Sequence, residues 1–345
     1  MPEGDAIRRL AETFDEVFVG HRVHVSSPQG RFASSAARLD GWTLARARAV
    51  GKHMFLGFVP PPGETSGEVD HWVHIHLGLY GWWRFNGDST VMDLGHGVAR
   101  RVGPKDTHRP QRWGTGPLNP APEHLTELRD EGGGDLVDGP GAGAPESADV
   151  DDLWEAPEPI GQVRLRILAD HAVADLAGPT RCELIGDAER VAAEAKLGPD
   201  PLAPGAREDR AAAGRFVDAV RYRRRAIGEL VMDQSIIAGV GNIYRAEALF
   251  LAGISPMRKG ERLSAARARK LWVLICDLMN RGLAAGYLVT MDPDEAPDPP
   301  IEGDEEASRW YVYHRTGRPC LRCGTPIAEK PMQARRLFWC PSCQS

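Results

Sequence analysis

No run of about 18 or more apolar residues occurs in this 345-residue chain, so no segment of it suits a membrane-spanning helix. It does not open on the charged-then-apolar stretch of a secretory signal, and a cytoplasmic, nucleoid-associated location is expected. Cysteine is scarce: six residues are too few for a disulfide scaffold at this length. Internal repeats are lacking as well. So is basic net charge, since the chain stands at −6, which at first sight argues against a nucleic-acid partner.

The distribution of charge reverses that inference. Residues 86–161 hold 15 acidic and 6 basic side chains, and residues 292–306 hold 8 acidic and none basic. With these two stretches set aside, the rest of the chain carries a net +11. Two acidic segments mask a basic protein of ordinary globular composition, 42% hydrophobic, long enough for two or three domains.

Periodicity then divides the chain. Ile7, Leu10, Ala11 and Phe14 recur at helical spacing, so one amphipathic helix is expected over 6–17. Short β-rich runs at 23–25, 44–50, 54–58, 72–77, 163–168 and 172–176, separated by Gly or Pro, predict an antiparallel sandwich. The stretch 86–161 is rich in Gly, Pro and acids and reads as a disordered or loosely packed insertion within it. Apolar residues at spacings of three and four predict helices over 216–225, 228–238, 242–251 and 263–281. The fold class expected is α+β: a sandwich domain at 1–202 interrupted by the insertion, a helical domain at 203–291, an acidic linker at 292–309 and a cysteine module at 310–345.

Three local patterns could carry chemistry. Cys320-x-x-Cys323 and Cys340-x-x-Cys343 form two knuckles sixteen residues apart, the spacing of a closed, structural zinc site; a redox pair is the other reading, and Cys182 and Cys276 are left as ordinary buried thiols. Gly239-Val240-Gly241-Asn242 stands between two amphipathic segments. It could bring helix N-H groups against a phosphate, or be a plain helical hairpin. The opening Met1-Pro2-Glu3-Gly4 allows removal of Met1, leaving Pro2 a secondary amine with pKa near about 8 that can form an iminium with a sugar carbon. Glu3 beside it could move protons; from the residues alone, an ordinary Pro-Glu helix start is the plainer reading. His71, His74 and His76 read as structural histidines, since no further ligand lies near apart from Asp70.

In this order, Met1-Pro2-Glu3-Gly4, Val50-Gly51-Lys52, the segment 233–247 (DQSIIAGVGNIYRAE) and the CxxC pairs enclosing Arg335 resemble the formamidopyrimidine-DNA glycosylase and endonuclease VIII family over nearly the whole chain outside the acidic segments. The resemblance implies a helix-two-turn-helix domain and a C-terminal zinc hairpin finger beside the sandwich, with damaged DNA, duplex or single-stranded, bound between them by a monomer with no membrane partner. It also implies a DNA glycosylase with lyase activity at abasic sites, in which Pro2 is the Schiff-base nucleophile, Glu3 its acid/base partner and Lys52 a backbone contact that assists proton transfer. Asn242 and Arg335 would bind phosphates, with Arg336 the competing choice, and Cys320, Cys323, Cys340 and Cys343 would hold Zn²⁺.

Gly78-Leu79-Tyr80-Gly81 resembles the Leu-Tyr wedge of the endonuclease VIII branch, which fills the stack vacated by a flipped base. Residues 287–298 differ from the Gly/Thr-rich lesion loop of the other branch. Oxidised pyrimidines are therefore the expected substrates, with 8-oxoguanine-type purines, or damaged-DNA binding without catalysis, as rivals. Two departures stand out. Asp5-Ala6 stands where many relatives have Pro-Glu, so the carboxylate they place near the lesion pocket has no equivalent at Ala6, and the insertion is far longer than the family's connection and is expected to hang from the outer edge, away from DNA.

Overall fold

The computed structural model describes residues 2–61, 69–88, 90–91 and 154–345. Most of the acidic insertion, and with it the expectation that it hangs from the outer edge, lies outside the described residues. Helix α1 (Gly4–Val17) opens the chain and buries Ile7, Leu10, Phe14 and Val17, its predicted apolar stripe. Strand β1 (His24–Ser26), helix α2 (Ala33–Leu39) and strands β2 (Thr43–Val50), β3 (His53–Val59), β4 (His71–His76) and β5 (Trp82–Gly87) follow. Beyond the insertion come β6 (Val163–Leu168), β7 (Ala172–Ala177), β8 (Arg181–Gly186) and helix α3 (Asp187–Glu194).

These strands form two four-stranded antiparallel sheets, ordered β1-β6-β7-β5 and β2-β3-β4-β8. Alternation turns Met54, Leu56, Val73, Ile75, Leu165, Ile167, Ala174 and Leu176 inward, where they share one core with α1. The insertion therefore interrupts the sandwich, and it starts after β5 rather than at Asn86: Asn86 and Gly87 still pair with Val173 and Ala172.

The helical part comprises α4 (Arg210–Arg221), the short α5 (Ile227–Leu230), α6 (Asn242–Leu251) and α7 (Ala265–Ala285). The single helix expected over 228–238 is not formed. After Leu230 the chain turns repeatedly, because Asp233 accepts from the Ser235 amide and hydroxyl while the Gln234 side chain bonds Met232 O, Val240 O and the Gly239 amide. Ile236, Ile237 and Ala238 keep their apolar spacing but are buried from a turn. Strands β9 (Ala328–Met332) and β10 (Arg335–Trp339) then make a hairpin whose two-residue loop, Gln333 and Ala334, has φ of 52° and 57°, the conformation of a type I′ turn.

Most of residues 292–309 are exposed, but the stretch is pinned to its neighbours at several points. Glu295 takes Arg322 in a forked ion pair at 2.9–3.1 Å, and Asp304 holds the fully buried Arg315 at 2.8 Å. Buried Glu247 of α6 accepts the amides of Tyr311, Val312 and Tyr313 at 2.8–2.9 Å and the Thr290 hydroxyl at 2.7 Å. One carboxylate thus ties the helical part to the cysteine module. Among the described residues no helix is long and apolar enough to cross a membrane.

The parts meet at glycines. A Cβ on Gly4 would lie 2.8 Å from Gly239 Cα, one on Gly51 2.9 Å from the Gly239 nitrogen, and one on Gly239 3.3 Å and 3.4 Å from Gly4 Cα and Gly51 Cα. Gly239→Ala should therefore cost the left-handed penalty of about 1–2 kcal/mol, since its φ is +84°, plus separation of the three segments. Gly205→Ala, with φ +69° and open space around it, should cost the first term alone. A clearly larger loss of Tm for Gly239→Ala checks the junction; equal losses would contradict it.

Candidate active site

The glycine junction delivers three chemical groups to one place. The Gly4 amide donates to Gly239 O at 2.9 Å, which sets Pro2 and Glu3 against the turn before α6. The buried Glu3 carboxylate then accepts the amides of Gly241 at 2.7 Å, Ile243 at 2.9 Å and Tyr244 at 3.4 Å. These are otherwise unpaired donors of the α6 N-terminus, so the carboxylate sits where the helix's partial positive charge is greatest. Gly241 is needed for this approach: a Cβ there would fall 2.3 Å from Glu3 Cδ. The α6 N-terminus thus receives a carboxylate of the chain itself at Gly241, Ile243 and Tyr244.

Lys52 arrives on the tip of the β2–β3 hairpin. Val50 pairs with His53, leaving Gly51 and Lys52 as a two-residue loop, and Gly51 at φ +57° supplies the positive angle that a type II′ turn requires at its first position. Asp200 fixes the loop by accepting the Gly51 amide at 2.9 Å. Although at a hairpin tip, Lys52 is only 6% exposed, because the tip is pressed against residues 238–239. Burial pushes Glu3 above its ordinary carboxylate range, with Lys52 and the Ile243 amide opposing. Burial pushes Lys52 down to about 8, with Glu3 opposing and the Arg335 charge adding to the fall. Pro2, buried at the junction, immediately precedes this acid. A carboxyl with a raised pKa and an ammonium with a lowered one suit proton transfer near neutrality.

The remaining expected residues lie around this centre. Asn242, first residue of α6, donates to Arg336 O at 2.9 Å and accepts from Arg245, so it links the helix start to the β9–β10 hairpin. The two candidate arginines separate by strand parity. Arg336 is committed to Glu329, at 2.5 and 2.6 Å, and lies over Phe338. Arg335 faces the other way, and its charge is felt at Lys52 and Arg245.

Leu79 and Tyr80 lie on the β4–β5 turn, 47% and 77% exposed, unusual for such side chains in a well-packed sandwich. This turn leans on the β7–β8 turn, where a Cβ on Gly78 would meet Thr180 Cγ2 at 2.2 Å and one on Gly178 would meet Tyr80 O at 2.8 Å. The four module cysteines present sulfurs within 4.8 Å of one another, with Cys323–Cys340 at 3.4 Å and Cys320–Cys343 at 3.8 Å. A tetrahedral thiolate site with bonds of about 2.3 Å needs separations of about 3.8 Å, so this cluster could hold a metal ion.

Sequence reasoning assigned no role to three contributors: Asp200, Glu247 and the buried Asp5, whose carboxyl lies 3.8 Å from Arg9. His53 adjoins Lys52, and only strand register reveals that it shares a face with His74.

Residues 1–113 match the family model for the formamidopyrimidine-DNA glycosylase N-terminal domain, and residues 197–292 the model for the formamidopyrimidine-DNA glycosylase H2TH domain. Endonuclease 8 1 of Mycobacterium bovis is 35% identical over 345 residues, covering all of both chains. A formamidopyrimidine-DNA glycosylase of Xanthomonas oryzae is 37% identical over 154 residues, 44% of this chain and 52% of that one. Among solved structures, a complex of the LlFpg protein with a THF-DNA and an inhibitor superposes with TM-score 0.64 at 18% identity, covering all of both chains, which shows the shared fold.

Because Lys52 loses its proton more readily folded than unfolded, its charged form opposes folding below about pH 8. That cost fades as pH rises from about 8 towards the ordinary lysine value of 10.5. Lys52→Met should therefore raise Tm at pH 7 by an amount worth up to roughly 3 kcal/mol, with the gain shrinking towards pH 10. Thermal melts across that range check this; a Tm difference independent of pH would contradict it.

Proposed function

The chain belongs to the formamidopyrimidine-DNA glycosylase and endonuclease VIII family, and on that premise we propose that it is a base-excision repair enzyme, a DNA glycosylase and AP lyase that excises oxidised bases through a Schiff base on Pro2. The observation that carries this reading is the convergence of Pro2, Glu3 and Lys52 at the N-terminus of α6.

With Met1 removed, the Pro2 nitrogen attacks C1′ of the damaged nucleotide and the N-glycosidic bond breaks, the departing base taking the electron pair and the proton released from the proline nitrogen. Glu3 delivers a proton to O4′, the ring opens, and C1′ becomes an iminium on the proline nitrogen. Loss of a C2′ proton expels the 3′ phosphate, and loss of a C4′ proton then expels the 5′ phosphate, leaving a one-nucleotide gap. Lys52, positively charged below about pH 8, would hold the backbone at the lesion and assist proton transfer. Arg335, and Asn242 at the helix start, would grip flanking phosphates, for which a guanidinium fork is well suited.

Leu79 and Tyr80 would fill the stack left by the flipped nucleotide, and their exposure supports that use. The same pair, with the full-length likeness to a protein named Endonuclease 8 1, favours oxidised pyrimidines. Thr290, within the stretch that replaces a Gly/Thr-rich lesion loop, is fully buried against Glu247, which also supports this branch. Zn²⁺ is the ion we assign to the four cysteines, since a closed thiolate set leaves no position for substrate and suits a structural role. A monomer acting on cytoplasmic, nucleoid DNA is the state that fits the reading.

Duplexes carrying thymine glycol, 5-hydroxyuracil or 8-oxoguanine, incubated with borohydride, test the proposal. The expected result is a trapped adduct and strand cleavage with the pyrimidine lesions first. Preference for 8-oxoguanine would move the protein to the purine branch, and tight binding without adduct would make it a non-catalytic binder. Stripping the metal with a chelator should release one Zn²⁺ per chain and weaken DNA binding at least about tenfold while leaving the sandwich folded; undiminished binding by the metal-free protein would contradict a structural role for the module.

A further inference from the structure

The link between α4 and α5 carries a basic surface that the proposed chemistry does not use. Arg221-Tyr222-Arg223-Arg224-Arg225 leads out of α4, and Arg258-Lys259-Gly260-Glu261-Arg262 runs beside it. Backbone contacts hold the two segments together: the Gly260 amide donates to Arg225 O and the Glu261 amide to Arg223 O, each at 3.0 Å, and Ala226 bridges to Lys259. These ten residues bring seven cations and one acid to one place.

The cations differ in how far they are already committed. Arg221 donates to Leu263 O, Arg223 to Ala219 O, and Arg225 is held by Glu229 and Asp233. Among the described residues Arg224 reaches only Glu261, at 3.4 Å, with its side chain 87% exposed, and such a pair contributes little in water. Lys259 and Arg262 are exposed as well.

Amid them stands Tyr222, also 87% exposed and more open than Tyr80 of the β4–β5 turn. Its backbone amide bonds Asp218 O, but among the described residues its ring and hydroxyl make no hydrogen bond or ring contact. An open aromatic face next to uncommitted cations is what an unstacked nucleotide requires, the ring for its base and the cations for its phosphates. Paired bases in a duplex cover one another's faces; a single strand offers them.

The surface is continuous with the edge that would bind phosphates. Arg245 spans the gap, its guanidinium donating to Gly228 O at 3.5 Å on one side and to Asn242 on the other. Met332, at the β9–β10 turn that leads into Arg335, would have its sulfur 3.0 Å from a Cβ on Gly228. A strand leaving Asn242 and Arg335 towards the start of α5 therefore meets this surface next.

Resting on the reading of the protein as a DNA repair enzyme, we propose that the α4–α5 link is a second nucleic-acid contact, one that takes single-stranded DNA flanking the lesion, with a base stacked on Tyr222 and phosphates against Arg224 and Lys259. Substrates with an unpaired flank are then bound more tightly than fully paired ones.

The test uses the full-length, metal-containing protein and an uncleavable tetrahydrofuran abasic analogue, placed in a blunt duplex and in the same duplex extended by a 5′ or a 3′ oligothymidine tail. A tail should tighten wild-type binding at least about fivefold over the blunt duplex. Tyr222→Ala should lose that advantage and Tyr222→Trp keep it, both variants binding the blunt duplex as the wild type does. Arg224→Gln should lower the slope of log Kd against log salt by about 0.7 on the tailed substrate and leave it unchanged on the blunt one.

Wild-type affinity for the blunt abasic duplex no greater than for undamaged DNA would overturn the functional reading itself. Given that selectivity, equal binding of blunt and tailed duplexes, or a tail advantage that survives Tyr222→Ala, would overturn only this inference. So would equal losses from Tyr222→Ala and Tyr222→Trp. Tyr222-dependent binding of a polyglutamate peptide without any effect of the tails would overturn it too, and would give the surface to an acidic protein partner.

Discussion

Close contact of three backbone segments, at Gly4, Gly51 and Gly239, is the constraint on which the rest depends. No side chain can stand between these α-carbons, so the N-terminus, the β2–β3 tip and the turn before α6 are pressed together. From that follow the capping of α6 by the Glu3 carboxylate and the burial of Lys52 at a hairpin tip that would otherwise be open to water. Sandwich and helical parts each have their own core, and Glu3, Lys52 and the α6 N-terminus come together where the two meet. Neither part holds the constellation alone.

Electrostatics at the junction are poised rather than merely stabilising. Taking a carboxyl and a lysine out of water disfavours the charged form of each, and each partly favours the other's. The amides of α6 favour the carboxylate, while Arg335 from the cysteine module disfavours the ammonium. Four separate stretches of chain therefore set two proton affinities. Part of the stability gained elsewhere offsets this burial, a common trade at catalytic centres. Glu247 and Asn242 keep the cysteine module in register with α6, so the Arg335 contribution depends on contacts remote from the reacting atoms.

Much of this was legible in the residues. Strands β6 and β7 and helices α1 and α6 follow from alternation or helical spacing alone, and the four cysteines from their spacing. Strand β8 is an edge strand burying only Cys182, so it shows little apolar alternation and carries no strand signal in the sequence. Strand β5 is masked in the sequence because it runs into the acidic insertion, where Asn86 and Gly87 look like loop. The expected helix at 228–238 failed for a different reason: Asp233 and Gln234 bond their own backbone, and that local chemistry overrides an apolar spacing compatible with helix. The first three residues and Lys52 carried weight only through family resemblance, since a proline, an acid and a lysine far apart in sequence do not announce a common site. The choice between Arg335 and Arg336 needed Glu329 on the facing strand, a fact of register.

The central claim is that a freed proline nitrogen, placed by the glycine junction beside Glu3 and Lys52, joins covalently to the sugar of a damaged nucleotide. Peptide mapping by mass spectrometry of the borohydride-reduced complex tests it most directly. A chain that begins at Pro2 and carries the deoxyribose remnant on that residue is expected. A remnant on Lys52 or any other side chain, or efficient cross-linking by protein that still begins with Met1, would contradict it.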